Sequence, residues 1–214
     1  MRTWPLIRRA ALAGVLISIC VSQGLAAPIK RDEATAKRNY GDPIPGGADG
    51  SGVPPHAMSL VEAAESGGVA EARNAFLAGE SANSRTRRGK PALLIATQSN
   101  NISVLRFLLE KQANPDLFDK STGHTALIAA AQSGEDNMVR MLLEHKANPD
   151  HQDRQGETAL MKAARVGATD VVRTLLAAKP DVNLTDYAGN TALWHARASR
   201  NAKVIQMIEE AGGQ

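Results

Sequence analysis

The sequence is poor in features on which several classes of protein depend. It contains 1 cysteine among 214 residues, and 3% of its residues are aromatic. A disulfide-stapled scaffold needs several cysteines, and a multi-span membrane protein needs long apolar runs, so both classes are excluded. The composition is 43% hydrophobic and 22% charged. This balance is typical of a soluble globular protein with one or two domains.

The sequence also lacks a net charge once its first nine residues are set aside. It has 25 lysines and arginines against 22 acidic residues, a formal charge of +3. Three arginines, Arg2, Arg8 and Arg9, lie in the first nine residues and equal that surplus. Nucleic-acid binding through bulk positive charge therefore has little support.

Residues 1–26 are predicted to be a signal peptide. Basic residues come first, an apolar run extends from Ala10 to about Val21, and small residues follow at Gly24 and Ala26. We expect cleavage after Ala26, because cleavage one residue later would place Pro28 first, and peptidases disfavour proline there. An uncleaved membrane-anchoring helix is the alternative, and both Sec and twin-arginine export stay open.

The predicted cleavage would remove Cys20 together with the signal peptide. The mature protein would then have no thiol, which suits an oxidising compartment and excludes a cysteine nucleophile and a thiolate metal site. We expect the periplasm of a Gram-negative bacterium, with full secretion as the alternative.

Residues 27–56 are predicted to be a disordered tether. Gly and Pro occupy nine of the fifteen positions from Gly41 to Pro55, and no apolar period runs through the segment. Such a composition buries too little apolar surface to offset the entropy of ordering. A peptide that binds a partner is the alternative interpretation.

From residue 57 to residue 214 the sequence repeats itself. Equivalent leucines recur at intervals of 33, 34, 33 and 33 residues, at Leu60, Leu93, Leu127, Leu160 and Leu193. Small residues follow each leucine, and a second set of Leu, Val and Ile comes later in each unit at helical spacing. The pattern predicts an all-α solenoid of five helix pairs. The units are approximately 57–85, 86–118, 119–152, 153–185 and 186–214.

The predicted units differ in side-chain size between their two helices. Alanines on the first helix allow close approach, while larger residues on the second helix fill the other layer, so the stack is expected to curve. Asn, Asp, Pro and Gly between units predict short projecting turns, which we call fingers. One extra residue between Asp119 and Gly123 is expected to lengthen a single finger.

This pattern resembles the ankyrin repeat. Gly-x-Thr-Ala-Leu, as in Gly156 to Leu160, stands where that family usually has Gly-x-Thr-Pro-Leu-His. The family histidine is replaced by Leu94, Ile128, Met161 and Trp194, so the sequence offers no support for the hydrogen bonds between repeats that this histidine often provides. The family glycine after the second helix is kept at Gly79 and Gly212. We expect its replacements, Gln112, Lys146 and Lys179, to be left-handed at a cost of about 1 kcal/mol each.

A search for catalytic motifs supports no enzyme. The five histidines form no His-Glu-x-x-His motif, and the aspartate pairs such as Asp116 and Asp119 fall on turn positions without the further ligands of a calcium loop. No phosphate-binding glycine loop and no Gly-x-Ser-x-Gly motif is present. We therefore predict no catalytic residue, no cofactor and no metal, and keep an enzyme or a metal-dependent module as the alternative from another class.

The resemblance implies a protein-binding surface on the fingers and on the exposed side of the first helices. The candidate residues are Arg87, Arg88, Lys90, Lys120, His124, Gln132, Arg154, Glu157, Arg165, Tyr187 and Asn190. Several of them, with Arg85, make a basic ridge that we expect to meet an acidic patch on another protein. The ridge has no interleaved aromatic residues, which argues against nucleic acid. Solvated fingers without a partner are the alternative.

Together these observations predict a monomeric, non-catalytic scaffold for protein–protein interaction. Support or protection of an exported enzyme would be one form of that role. A secreted effector that binds a host protein is the alternative.

Overall fold

Each predicted repeat unit folds as two short helices. The computed structural model describes residues 58–214, so the predicted signal peptide (1–26) and tether (27–56) lie outside the described residues. The first helices of the five pairs, the inner helices, are α1 (Leu60–Ser66), α3 (Ala92–Gln98), α5 (Ala126–Ser133), α7 (Ala159–Val166) and α9 (Ala192–Ser199). The second, or outer, helices are α2 (Val69–Leu77), α4 (Ile102–Glu110), α6 (Asp136–Glu144), α8 (Thr169–Ala177) and α10 (Ala202–Glu210).

Hydroxyl side chains start most of the inner helices. The side chains of Thr125, Thr158 and Thr191 each accept a hydrogen bond from the backbone N–H three residues on. Ser59 caps α1 in the same way, whereas Pro91 takes this position before α3. These caps satisfy N–H groups that the first helical turn leaves unpaired. The Thr-Ala-Leu motif therefore marks where an inner helix begins.

Unequal side chains set the packing of the two rows of helices. Fully buried alanines let the inner helices approach one another closely, and the outer helices bury Leu, Val and Ile. Contacts between neighbouring inner helices are in every case more extensive than those between neighbouring outer helices. The stack therefore curves with the inner helices on its concave face. The prediction of an all-α repeat solenoid is confirmed, and residues 58–214 include no β-strand beyond isolated bridges.

Four fingers, residues 78–91, 111–125, 145–158 and 178–191, connect consecutive helix pairs. A backbone bridge closes three of them as small hairpins. A recurring side-chain bond links neighbours: the Oδ1 atoms of Asn83, Asp116, Asp150 and Asn183 accept backbone N–H groups from the following unit at 2.7–3.0 Å. The fingers are thus held side by side as one surface.

The extra residue lengthens the second finger as predicted. In that finger the Gly123 N–H donates to the Asp119 carbonyl, four residues back, at 2.7 Å. In the third finger the Gly156 N–H donates to the Asp153 carbonyl, only three residues back, at 3.0 Å. The insertion is accommodated within the turn, so it does not disturb the helices on either side.

The left-handed residues after the outer helices are also as expected. Gln112, Lys146 and Lys179 have φ values of 59°, 64° and 56°, in the same region as Gly79 and Gly212. Two further residues, Asn100 (φ 56°) and Arg200 (φ 57°), are left-handed and follow inner helices. In the other three units the equivalent position is a glycine with positive φ, namely Gly67, Gly134 and Gly167. A side chain at such a position is strained because its Cβ crowds the carbonyl oxygen.

The last helix pair carries polar residues where the other pairs carry small or apolar ones. Arg197 stands at the repeat position of the buried Ala164, and it pairs with Glu209 at 3.1 Å. Trp194 is 52% exposed, whereas Met161 at the equivalent position is buried by the next pair. Among the helices described, none has the length and apolar character needed to cross a bilayer.

Candidate binding surface

Nine of the eleven predicted contact residues lie on the fingers, and Gln132 and Arg165 lie near the C-terminal ends of the inner helices α5 and α7. Seven of the eleven are exposed, and they are Arg87, Arg88, Lys120, Gln132, Arg154, Arg165 and Tyr187. Lys90, His124 and Asn190 are half-buried. Glu157 is only 6% exposed, so it contributes little to the surface, and its contact with a partner stays a prediction. It lies beneath the surface because its carboxylate is used in ion pairs.

The first finger carries concentrated positive charge. It contains four basic residues, and Thr86 occupies the position where the later fingers have an aspartate. The Arg85 guanidinium donates to the carbonyls of Gly89 (2.7 Å) and Phe118 (2.9 Å), and it thereby joins the first finger to the second. Arg87 and Arg88 are exposed. Arg85 therefore has a structural role, and Arg87 and Arg88 present the charge to solvent.

The other three fingers each fold around a buried aspartate. Oδ1 of Asp119, Asp153 and Asp186 accepts the backbone N–H two residues on at 2.8–2.9 Å. In Asp153 and Asp186 the same oxygen also accepts the N–H four residues on. The Ser121 N–H bond is the largest effect that lowers the pKa of Asp119. These carboxylates hold the turns in shape and are not available to a partner.

A buried ion network lies under the third finger. Lys162, on the inner helix α7, is 3% exposed, and its Nζ is 2.8 Å from Oδ2 of Asp153. The same ammonium contacts the carboxylate of Glu157. Arg165, one turn further along α7, donates to the other oxygen of Glu157 at 2.9 Å. Burial by itself raises the pKa of Asp153, but the Lys162 ammonium and two backbone N–H groups outweigh it and leave that pKa below its ordinary value.

The network extends into the neighbouring repeats. His195 on α9 places Nε2 3.1 Å from Oδ2 of Asp186 and 3.8 Å from Oε1 of Glu157. On the other side, Nε2 of His124 is 3.3 Å from Oδ2 of Asp153. Burial and the nearby Lys162 ammonium lower the pKa of His124, although Asp153 acts in the opposite direction. The network therefore ties the last three helix pairs together through ionisable side chains.

This network was missed by the sequence analysis. The family histidine would directly follow each repeat leucine, and it is absent at that position in this sequence. Two residues of the network, Lys162 and His195, lie one position further along. The second and third units have Ile95 and Ala129 at this position. The sequence signal for the network was a lysine and a histidine at a repeat position that is apolar in the second and third units.

Three residues of the network have the spacing of metal ligands. One ligand atom each from Glu157, Asp186 and His195 lies within 4.8 Å of the others. Glu157, however, already faces two cations, Lys162 and Arg165. A divalent ion at this point would lie close to the Lys162 ammonium and would be repelled by it. The charges present therefore favour an ion-pair network.

An open pocket of about 490 Å³ lies between the third and fourth fingers. Its lining is Arg154, Gln155, Glu157, Arg165, Asp186, Tyr187 and Ala188. Tyr187 is 77% exposed, yet its ring packs on Gly156, where a Cβ atom would meet ring atom Cδ1 at 2.7 Å. The Tyr187 N–H donates to the Gln155 carbonyl at 3.0 Å. The pocket thus combines an aromatic ring that is packed on backbone with two exposed guanidinium groups. This arrangement suits the binding of a ligand better than catalysis by proton transfer.

Comparison with known proteins gives matches to two related family models. The model for ankyrin repeats (3 copies) matches residues 60–153, and the model for ankyrin repeats (many copies) matches residues 142–196. Together the two matches extend from residue 60 to residue 196, which is more than half of the chain. No curated protein matches the chain.

Proposed function

The chain belongs to the ankyrin-repeat family, and on that premise we propose that it is a non-catalytic scaffold that binds another protein through its fingers and concave face. Ankyrin repeats indicate a protein–protein interaction module, and proteins of this family are generally binding scaffolds without catalytic activity. The choice of surface rests on Arg87 and Arg88 of the first finger, which are exposed and take part in no ion pair within residues 58–214.

The basic ridge fits an acidic patch on the partner. Within residues 58–214, no ion pair involves Arg87, Arg88 or Lys120, whereas Lys162 and Arg165 near the other end are paired with acidic residues. Exposed unpaired charges of one sign raise the rate of association with a surface of the opposite sign more than they raise intrinsic affinity. The first finger is therefore the part of the surface that guides the partner into place.

The proposed location is the periplasm of a Gram-negative bacterium. The order of basic, apolar and small residues in positions 1–26 supports it, and a partner there would be another envelope protein, such as an exported enzyme that the scaffold supports or protects. The mass of the intact protein from the native envelope should correspond to a chain that begins at Ala27. Retention of Met1 would contradict the proposal, and recovery of the protein mainly from the culture medium would favour the secreted effector.

Reversal of the first-finger charges tests the binding surface. The partner is first captured from the native envelope with the full mature chain and identified. Association is then measured with the double variant Arg87→Glu and Arg88→Glu. We expect association to slow by about tenfold or more at low salt, with the difference fading as salt screens the charges. The melting temperature should change little, because both side chains are exposed.

Two arginines on the outer helices provide the control. Arg106 on α4 and Arg173 on α8 are also exposed, but they lie away from the fingers. Their reversal to glutamate changes net charge by the same amount and should have a much smaller effect. If this control pair abolishes binding and the finger pair does not, the partner uses the outer helices and the proposed surface is wrong.

A further inference from the structure

The pocket between the third and fourth fingers presents two cations at its rim. Arg165 has 43% of its side chain exposed and uses one N–H group on Glu157. Arg154 is exposed, and one of its terminal nitrogens contacts the Lys120 carbonyl. A guanidinium has five N–H donors, so each arginine keeps donors for a bound group. Both can serve one ligand because they line the same pocket.

The acidic residues beneath the rim are already occupied. Glu157 contacts Lys162 and Arg165. The Asp186 carboxylate accepts the backbone N–H groups of Ala188 and Asn190, and the His195 ring lies 3.1 Å away. The side chains of Glu157 and Asp186 are only 7% and 8% exposed. An incoming group therefore meets positive charge at the rim before it meets negative charge, and an anion is favoured over a cation.

A fixed aromatic ring covers one side of the pocket. Tyr187 packs on Gly156, which has a φ of 77° and no Cβ to push the ring away. An exposed ring held in this way can cover a partner side chain with little further loss of conformational freedom. Tyrosine and arginine are also the residue types that most often dominate the energy of protein interfaces.

We propose that this pocket anchors a glutamate or aspartate side chain from an extended acidic segment of the partner protein. Arg165 and Arg154 donate hydrogen bonds to the carboxylate, and the Tyr187 ring covers the adjoining methylene groups and backbone. Charge-assisted bonds from arginine to a carboxylate are short and directional, so they discriminate against the corresponding amide. The proposal rests on the proposed function and names the chemistry that the partner must supply.

The pocket has a different task from the first finger. Exposed charges at Arg87 and Arg88 act over distance and change the rate of association. Contacts inside a pocket are made after encounter, and their loss raises the rate of dissociation. A protein segment fits better than single-stranded nucleic acid, because stacking of successive bases needs several aromatic platforms and this pocket has one.

Selection from a library of random twelve-residue peptides tests the proposal. The full mature chain is the bait, and selected peptides are synthesised for affinity measurements. We expect enrichment of Glu and Asp and a loss of affinity of about tenfold on Arg165→Gln, as is typical of an arginine at an interface centre. Changing the critical peptide Glu to Gln should have a similar effect. The two changes together should add little, because they remove the same bond.

Arg173→Gln is the matched control. Arg173 resembles Arg165 in that its side chain is 55% exposed and pairs with one carboxylate, that of Asp170, but it lies on the outer helix α8. This variant should bind the selected peptides as the unmodified chain does. Arg154→Gln is the second pocket variant, and since Arg154 is outside the buried ion network it should weaken binding even if Arg165→Gln lowers the melting temperature.

Three outcomes would contradict the proposal that the pocket binds a carboxylate side chain. They are no enrichment over beads without bait, selected peptides without carboxylates, and equal binding to all the arginine variants. Displacement of a selected peptide by a single-stranded oligonucleotide at similar concentration would assign the pocket to nucleic acid and would also overturn it. If these results occur while an envelope partner still binds through the first finger, the pocket fails and the proposed function stands. If first-finger reversal also has no effect on partner binding, both fail.

Discussion

The second and fourth helix pairs share one backbone design but differ in the chemistry at equivalent positions. The position two residues after the repeat leucine holds Ile95 in the second unit and Lys162 in the fourth, and both side chains are 3% exposed. The turn residue seven positions before the repeat leucine is Thr86 in the first finger and Asp153 in the third. The repeat therefore folds with an apolar side chain or with an ion network at this place, so the network is not needed to form the repeat.

The first finger and the third finger also use charged side chains in different ways. In the first finger, Arg87 and Arg88 are exposed and free of ion pairs within the described part of the chain, so they can act on a distant partner. Near the third finger, Lys162 is buried and neutralised, and it supports Glu157 and Arg165 at the pocket. A buried ion pair contributes little net stability compared with apolar residues, but the loss of one partner leaves an uncompensated charge. The two regions should therefore respond very differently to mutation.

The largest effect is expected for Lys162→Ile, which gives the fourth unit the residue type of the second. The change leaves Asp153 and Glu157 buried with one cation fewer, and it should lower the free energy of unfolding by about 3–5 kcal/mol. Urea denaturation at pH 7 measures this. The triple variant Lys162→Ile, Asp153→Asn and Glu157→Gln should recover much of the loss. An equally unstable triple variant would show that packing rather than charge is responsible.

The reverse exchange, Ile95→Lys, should have the next largest effect. The stem of a lysine can lie along apolar surface, but Lys90 and Thr86 offer its ammonium no carboxylate. We expect a loss of about 2–4 kcal/mol in the same urea measurement, against less than about 1.5 kcal/mol for the control Ile95→Met. If Ile95→Lys causes little loss of stability, then burial of Lys162 does not depend on its acidic partners, Asp153 and Glu157.

Acidification should weaken the last repeats before the first. The pKa of His124 is lowered, mainly by burial, and the pKa values of Asp153 and Asp186 are held below their ordinary value by hydrogen bonds that outweigh burial. Below pH 6.5 the unfolded chain binds a proton at His124 before the folded chain does, so stability falls there. It falls again below about pH 4, where unfolded aspartates protonate first.

Hydrogen exchange of backbone amides at pH 7, 5 and 4 checks this order, after correction for intrinsic exchange rates. Amides of α7 and α9 should lose protection on acidification before those of α3. The variant His124→Gln should flatten the change between pH 7 and pH 5. Uniform loss of protection across all five helix pairs would show that the charges do not act locally.

The smallest effects are expected at the left-handed positions. Lys146→Gly and Arg200→Gly each replace a side chain at positive φ, and each should raise the free energy of unfolding by roughly 0.5–1 kcal/mol. The control is Lys203→Gly within α10, which should destabilise by a similar amount because glycine weakens a helix. Destabilisation by Lys146→Gly would show that the flexibility of glycine in the unfolded chain outweighs the strain relieved.

The sequence alone determined the architecture of residues 58–214. The 33-residue period, the alternation of alanine-rich and leucine-rich stretches, and the turn residues between them predict helix pairs in a stack, because helical spacing and turn chemistry are local properties. The same holds for Lys146, which is left-handed where other units have glycine, and for the longer turn between Asp119 and Gly123.

Only the tertiary structure decided which polar side chains meet. His124 and Asp153 come from adjacent repeats, as do Glu157 and His195, and the members of each pair are brought together by stacking of the repeats rather than by proximity in sequence. The same stacking buries Glu157, which sequence position alone places on the surface, and leaves Trp194 exposed where Met161 is covered. How deeply a side chain is buried, and which side chains it contacts, depend on the neighbouring repeat. The sequence of a single repeat does not contain that information.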